Sequence, residues 1–234
     1  MIAKALRLMI IISTAFLLGL LSCHYKTPPY STIIYFKNKI SNSMPPSEFY
    51  IRNKLDTFNK LSESSDVVFI GDSITDWMDW GDAFRDNKIV NFGIAGNTIS
   101  NMSSYSQMVY NTGAKKAFIM GGINDLMIKK ASSEVVFDDY KKTITALSEK
   151  GIQVVVQSTL LTRKSDSLNI KVSNLNNNLS EYCNNTKKCL FVDLNKHLSR
   201  DGRLDAKYTF DGVHLNGDGY LVWVKLLRSD GLLL

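Results

Sequence analysis

The 234-residue sequence predicts an α/β domain built on a five-stranded parallel sheet. Three observations carry this. Five short apolar runs recur along the chain, stretches of helical length separate them, and the runs are continuous rather than alternating, as in strands buried on both faces. The runs are Val67–Ile70, Ile89–Phe92, Ala117–Met120, Val154–Val156 and Leu190–Val192. Helices are expected at about 99–110, 133–149, 167–183 and 217–228, the last carrying Leu221, Trp223, Val224, Leu226 and Leu227. The β–α repetition implies right-handed crossovers with helices on both faces. Sites in such sheets lie beyond the carboxyl ends of the strands. Composition agrees: 44% hydrophobic and 21% charged residues suit one globular domain with a full core.

Ahead of the first strand, Ser47 is positioned to cap a helix with Glu48 in its first turn, and Phe49, Leu55, Phe58 and Leu61 form its apolar stripe. Residues 23–46 are polar and irregular, with Pro28-Pro29 and Pro45-Pro46 as breakers, and read as a tether. Before them, Lys4 and Arg7 precede an apolar run from Leu8 to Leu21. Such a run has the length of a signal-peptide core and is short for a membrane span. It ends in Leu20-Leu21-Ser22-Cys23, which resembles the lipobox of bacterial lipoproteins. That resemblance implies a signal peptide over 1–22, diacylation of Cys23, and a lipid-anchored protein of the bacterial cell envelope, on the outer membrane or the periplasmic face. The other reading is an ordinary signal peptide, or an uncleaved anchor, in which Cys23 is incidental. The remaining domain is 47–234.

The other two cysteines, Cys183 and Cys189, lack the CxxC spacing of a zinc or redox site. In an oxidising envelope they are candidates for a small disulfide; two buried free thiols is the alternative. The net charge of +6 is modest and its basic residues are scattered rather than striped, so no nucleic-acid partner is expected.

The chemistry-bearing residues fall where the fold predicts a site. Gly71-Asp72-Ser73 follows the first strand directly, so Ser73 sits on a sharp strand-to-helix turn. Taken alone it is as well explained as a helix cap. Gly93 to Thr98 follows the second strand, where glycine lets backbone N–H groups approach a ligand. Gly121 to Asp125 follows the third, where the Asn124 amide can donate to an oxyanion or stabilise a turn. Asp211 and His214 stand three apart in the loop before the last helix. Of the three histidines, His24 lies beside Cys23 and His197 in a polar stretch, which leaves His214 as the candidate base. Asp211 can fix its tautomer and leave the other ring nitrogen for Ser73.

Together, Gly71-Asp72-Ser73-Ile74-Thr75, Asn91 to Thr98, Gly122-Ile123-Asn124-Asp125 and Asp211-Gly212-Val213-His214-Leu215-Asn216 resemble the four blocks of the SGNH hydrolases, GDSL esterase/lipase group. The resemblance covers roughly 47–228, with Ile74 where the group's name has leucine. It implies a flavodoxin-like three-layer α/β/α sandwich and a catalytic triad of Ser73, His214 and Asp211. The implied oxyanion hole comprises the N–H groups of Ser73 and Gly96 and the Asn124 side chain. It implies no cofactor, and no metal-ligand cluster stands out. Similar envelope lipoproteins of the group imply a carbohydrate O-acetylesterase. Trp77, Trp80 and Arg163 are candidates to line the mouth, with Trp77 or Trp80 stacking on a sugar; core packing or a solvated loop is the equal alternative for each. The alternative is a lysophospholipase or thioesterase acting on lipid acyl esters, and a third reading is a non-catalytic glycan-binding lipoprotein. The oligomeric state is left open.

Overall fold

A computed structural model describes residues 2–34, 46–61, 64–85 and 88–233. The chain divides into two compact units, Met1–Asn53 and Lys54–Leu234. In the first, α1 (Ile2–Tyr25) continues through Cys23, which is exposed, into what the sequence suggests is tether. Ser22 ends it: its hydroxyl donates to the Thr27 carbonyl at 2.6 Å and accepts from the Tyr30 N–H at 2.9 Å. No helix among the described residues is long and apolar enough to cross a membrane. Residues 35–45 of the expected tether lie outside the described residues.

The helix expected from Ser47 is α2 (Pro46–Leu61). It begins one residue early, which puts Ser47 in the first turn. Proline suits a helix's first position, because its missing N–H would have no intrahelical partner there and its φ is already helical.

The second unit carries β1 (Val67–Gly71), β2 (Ile89–Gly93), β3 (Lys116–Met120), β4 (Gln153–Gln157) and β5 (Cys189–Val192), all parallel, in the order β2-β1-β3-β4-β5. Every residue of β1 is buried, as a central strand covered on both faces requires. Successive side chains point to opposite faces. Val67, Phe69, Phe118, Met120 and Val155 pack with Trp80, Trp223, Val224 and Leu227 into one core cluster. Trp223 and its neighbours belong to α11 (Gly217–Ser229). The alternate residues Val68, Ile70, Ile119, Val154 and Val156 are equally buried. So are Val136, Tyr140, Ile144 and Leu147 of α8 (Ser133–Ser148) and Val172, Leu175 and Leu179 of α9 (Asp166–Thr186). The result is the expected flavodoxin-like three-layer sandwich.

The helix expected over 99–110 is broken into α5 (Ile99–Met102), a 3₁₀ turn at Ser103–Tyr105, and α6 (Ser106–Asn111). Two adjacent serines account for the break. Ser103 and Ser104 donate their hydroxyls to the carbonyls of Ser100 and Asn101, competing with the helical ladder. Short helices α3 (Ser73–Asp76), α4 (Trp80–Ala83), α7 (Ile123–Met127) and α10 (Asn195–Leu198), and the hairpin β6 (Ser199–Arg200) and β7 (Arg203–Leu204), are additions to the elements that periodicity predicts. Cys183, in the last turns of α9, is disulfide-bonded to Cys189 at the start of β5.

Of the two readings of Trp80, the structure takes the core one. It is 1% exposed, stacks on Phe69 at 4.0 Å between centroids, meets Trp223 edge-on at 4.8 Å, and donates Nε1–H to the Thr75 carbonyl. It is core and cannot face a sugar. Trp223 is buried with it and donates to the Gln157 side-chain carbonyl at 2.6 Å. Trp223→Ala should therefore both open a cavity and orphan a buried amide. A loss of about 3–5 kcal/mol in urea unfolding is expected, against about 0.5 kcal/mol or less for a surface substitution away from such contacts.

Candidate active site

The ends of β1, β2 and β3 are drawn together by glycines. A Cβ on Gly71 would overlap Thr75 Oγ1 and lie 2.6 Å from the Met120 carbonyl oxygen at the end of β3. One on Gly93 would lie 2.6 Å from Asp76 Cα. Only glycine lets the β1–α3 turn sit this deep between its neighbours. Asp72 caps α3, accepting the Ile74 N–H at 3.0 Å, and Ser73 is the first helical residue. The far end of this short helix is held by Asn91 of β2. Its Nδ2 donates to the carbonyls of Thr75, Asp76 and Met78 at 3.0–3.2 Å, while its Oδ1 accepts the Gly93 N–H. Asn91 falls inside a motif block, but its part in fixing the serine turn is invisible without the fold.

Ser73 Oγ lies 2.9 Å from His214 Nε2, and His214 Nδ1 lies 2.7 Å from Asp211 Oδ2. With Nδ1 donating to the carboxylate, Nε2 is left to accept the serine proton. The other Asp211 oxygen accepts the backbone N–H groups of Val213 and His214 at 2.9 and 2.8 Å. Gly212, at φ +82°, makes this tight loop, and its carbonyl accepts the Arg163 N–H at 2.8 Å. Arg163 itself is exposed and donates from its guanidinium to the Leu204 carbonyl. His197 is exposed on α10 and takes no part.

The two remaining motif blocks are joined to each other. Gly96 adopts φ +79° in the turn after β2, and the next residue, Asn97, accepts at its carbonyl from Asn124 Nδ2 at 2.9 Å. The neighbouring Asp125 accepts the Ile99 N–H, and Asn97 donates to the Tyr105 hydroxyl. Asn124 is buried, and one of its two amide hydrogens remains beyond the bond to Asn97. A cavity of about 640 Å³ lies at the other end of the strands, lined by Gly151, Gln153, Lys187 and Cys189, away from all of these groups.

Two aspartates flank the serine–histidine pair with opposite electrostatics. Burial works to raise Asp211, but hydrogen bonds from the His214 ring and the two backbone N–H groups, with the His214 charge, outweigh it and hold the carboxyl well below the usual range. Asp72 is wholly buried, and desolvation pushes it up to about 7 against the Ile74 hydrogen bond and the His214 charge. Among the described residues its Oδ2, like Thr75 Oγ1, has no hydrogen-bond partner.

The fold is an α/β sandwich whose candidate reactive groups gather beyond the carboxyl ends of a parallel sheet. A family model described as the GDSL-like lipase/acylhydrolase family matches residues 69–222. The chain belongs to that family. Over 172 residues it is 28% identical to an N-acylneuraminate cytidylyltransferase from Escherichia coli O18:K1:H7, covering 70% of this chain and 40% of that protein. The chain thus spans less than half the length of this curated relative. Among solved structures it resembles a GDSL-like lipase from Bacteroides thetaiotaomicron (23% identity, TM-score 0.66, 79% of this chain and 96% of that one). It also resembles an acetyl-xylooligosaccharide esterase from Geobacillus stearmophilus (20% identity, TM-score 0.59, 74% and 96%). These likenesses are of fold.

Asp72 gives the site a pH signature. Its folded-state pKa is raised, so the folded chain keeps a proton that the unfolded chain releases above 3.8. Its stabilising contribution is fully present below that value and is lost as pH rises towards about 7, at up to about 1.4 kcal/mol per pH unit. Asp211 acts the other way, its contribution lost as pH falls below the usual carboxylate range. Urea midpoints measured from pH 4 to 8 should fall with pH in the wild type relative to Asp72→Asn; parallel curves would contradict the raised value.

Proposed function

We propose that the chain is a carbohydrate O-acetylesterase working through a Ser73–His214–Asp211 triad and an acyl-enzyme. The observation that carries it is the unbroken relay from Ser73 Oγ to His214 Nε2 at 2.9 Å and from His214 Nδ1 to Asp211 at 2.7 Å. In this reading His214 takes the Ser73 proton as the oxygen attacks the ester carbonyl. The N–H groups of Ser73 and Gly96 and the Asn124 amide hold the oxyanion. His214 then protonates the leaving alcohol, and water, activated by the same ring, releases the acid.

The sugar ester is favoured by the kinds of protein the chain resembles: one named for acetyl-xylooligosaccharides, one named for N-acylneuraminate. The second reading, a lipid acyl ester, draws on Phe210. It is 94% exposed beside Asp211, an apolar surface suited to an acyl chain. Ser73→Ala should lower hydrolysis of p-nitrophenyl acetate by at least about 10³-fold, and Asn124→Ala by about 10²–10³-fold. A panel of O-acetylated sugars, neutral and acidic, against octanoate esters and lysophospholipids, read by acid release, separates the two substrate readings. Preference for octanoate would replace the first with the second.

The lipobox-like Leu20-Leu21-Ser22-Cys23 supports a lipid anchor at Cys23 and an envelope location, with 1–22 removed. In protein from expressing bacteria, mass spectrometry should find a wild-type chain that begins at Cys23 and carries a diacylglyceryl group, and a Cys23→Ser chain that retains residues 1–22 and carries none. A wild-type chain without that added mass would rule the lipid anchor out.

A further inference from the structure

We infer that Trp77 is a positioning residue for the hydrolysis, its indole face steadying the His214 ring while that ring carries the proton taken from Ser73. The inference rests on the triad reading proposed above. Trp77 is 58% exposed, whereas Trp80 and Trp223 are buried in the core. Its ring instead lies against His214, with centroids 4.3 Å apart and planes 30° from one another. Both nitrogens of the imidazole are engaged at its edge, one by Asp211 and one by Ser73. What is left of the ring to hold is its faces, and Trp77 covers one.

The delivery is local and rigid. Trp77 caps the C-terminus of α3 one turn after Ser73, and its N–H donates to the Ser73 carbonyl at 3.1 Å. The carbonyls of Thr75 and Asp76 before it and Met78 after it are tied down by Asn91. One short helix therefore brings the hydroxyl to the edge of the imidazole and the indole to its face. When the ring becomes cationic, the negative face of the indole attracts it. That attraction is absent in the resting neutral ring, so it acts on the transition state rather than on substrate binding. The other groups that bear on the ring's charge are Asp211, hydrogen-bonded to Nδ1, and the buried Asp72.

The test compares Trp77→Leu, which keeps the apolar cover and loses the π face, with Trp77→Phe, which keeps both in smaller form. Substrates are acetate esters of ethanol, p-nitrophenol and a sugar, with the full-length protein. The expected result for leucine is a fall in kcat of about five-fold, nearly the same for all three alcohols, with KM within about two-fold. The acid limb of kcat/KM should move to lower pH, since the charged ring has lost support, and phenylalanine should recover most of both effects. A rise in KM confined to the sugar or aryl ester, with kcat and the acid limb unmoved, would make Trp77 a substrate platform and overturn the proposal. So would a leucine variant equal to wild type, or a phenylalanine variant as impaired as leucine. Should leucine not fold, Trp77→Met makes the same comparison. Ser73→Ala run alongside separates the two levels: full activity there overturns the triad reading itself, whereas its loss with an inert Trp77→Leu overturns only the role of Trp77.

Discussion

The close approach of the β1–α3 turn to the ends of β2 and β3 is the constraint on which the site depends. Any side chain at Gly71 would run into Thr75 and the Met120 carbonyl, and any at Gly93 would run into Asp76. With both positions open, the turn sinks between its neighbours and places Ser73 at the sheet's carboxyl edge, between the ends of β2 and β3. The register makes the same point: Gly71 pairs with Gly93 on one side and with Met120 on the other. Asn91 completes the device by bonding three carbonyls of the following turn. A single turn of helix has little stability of its own; here the geometry of the Ser73 turn is imposed from outside by packing and by one amide.

The electrostatics divide between the two ends of the relay. Asp211 is half-exposed but well supplied with donors, so it stays ionised and anchors the imidazole. Asp72 is buried with one orphaned oxygen, so burial favours its neutral form as pH falls towards the range of ordinary carboxyls. In the proposed mechanism, a permanently charged Asp72 next to the serine would oppose the negative charge developing on the ester oxygen. Two carboxyls near one histidine are thus kept apart in character by solvation and hydrogen bonding alone, and the His214 ring sits between them with Trp77 on its face.

Much of this was legible in the residues. The five apolar runs lie within the observed strands to within a residue, because strands covered on both faces must be apolar throughout. The serine turn, the late Asp–His loop and the two glycine-bearing loops fall at strand ends because connections in a parallel sheet have nowhere else to expose reactive groups. Trp77 and Trp80 illustrate the limit. They are three residues apart in one polar stretch, and nothing in their immediate neighbours says that one enters the core against Phe69 and Trp223 while the other stays out over His214. The 99–110 segment fails for a local reason, the hydroxyls of Ser103 and Ser104, which hydrophobic periodicity does not weigh.

The sequence by itself determined the fold class, the family and which side chains are proposed to react, because these depend on local apolar patterning and on residue types at short spacing. Only the tertiary structure decided how those side chains meet. Ser73 and His214 are 141 residues apart in the chain, and their 2.9 Å contact is a product of sheet order and crossover. The same holds for the bonding of Asn124 to the Gly96 turn, the burial of Asp72 and the indole laid on the imidazole. Each is a long-range juxtaposition set by packing, and packing is a property of the whole domain rather than of any stretch of it.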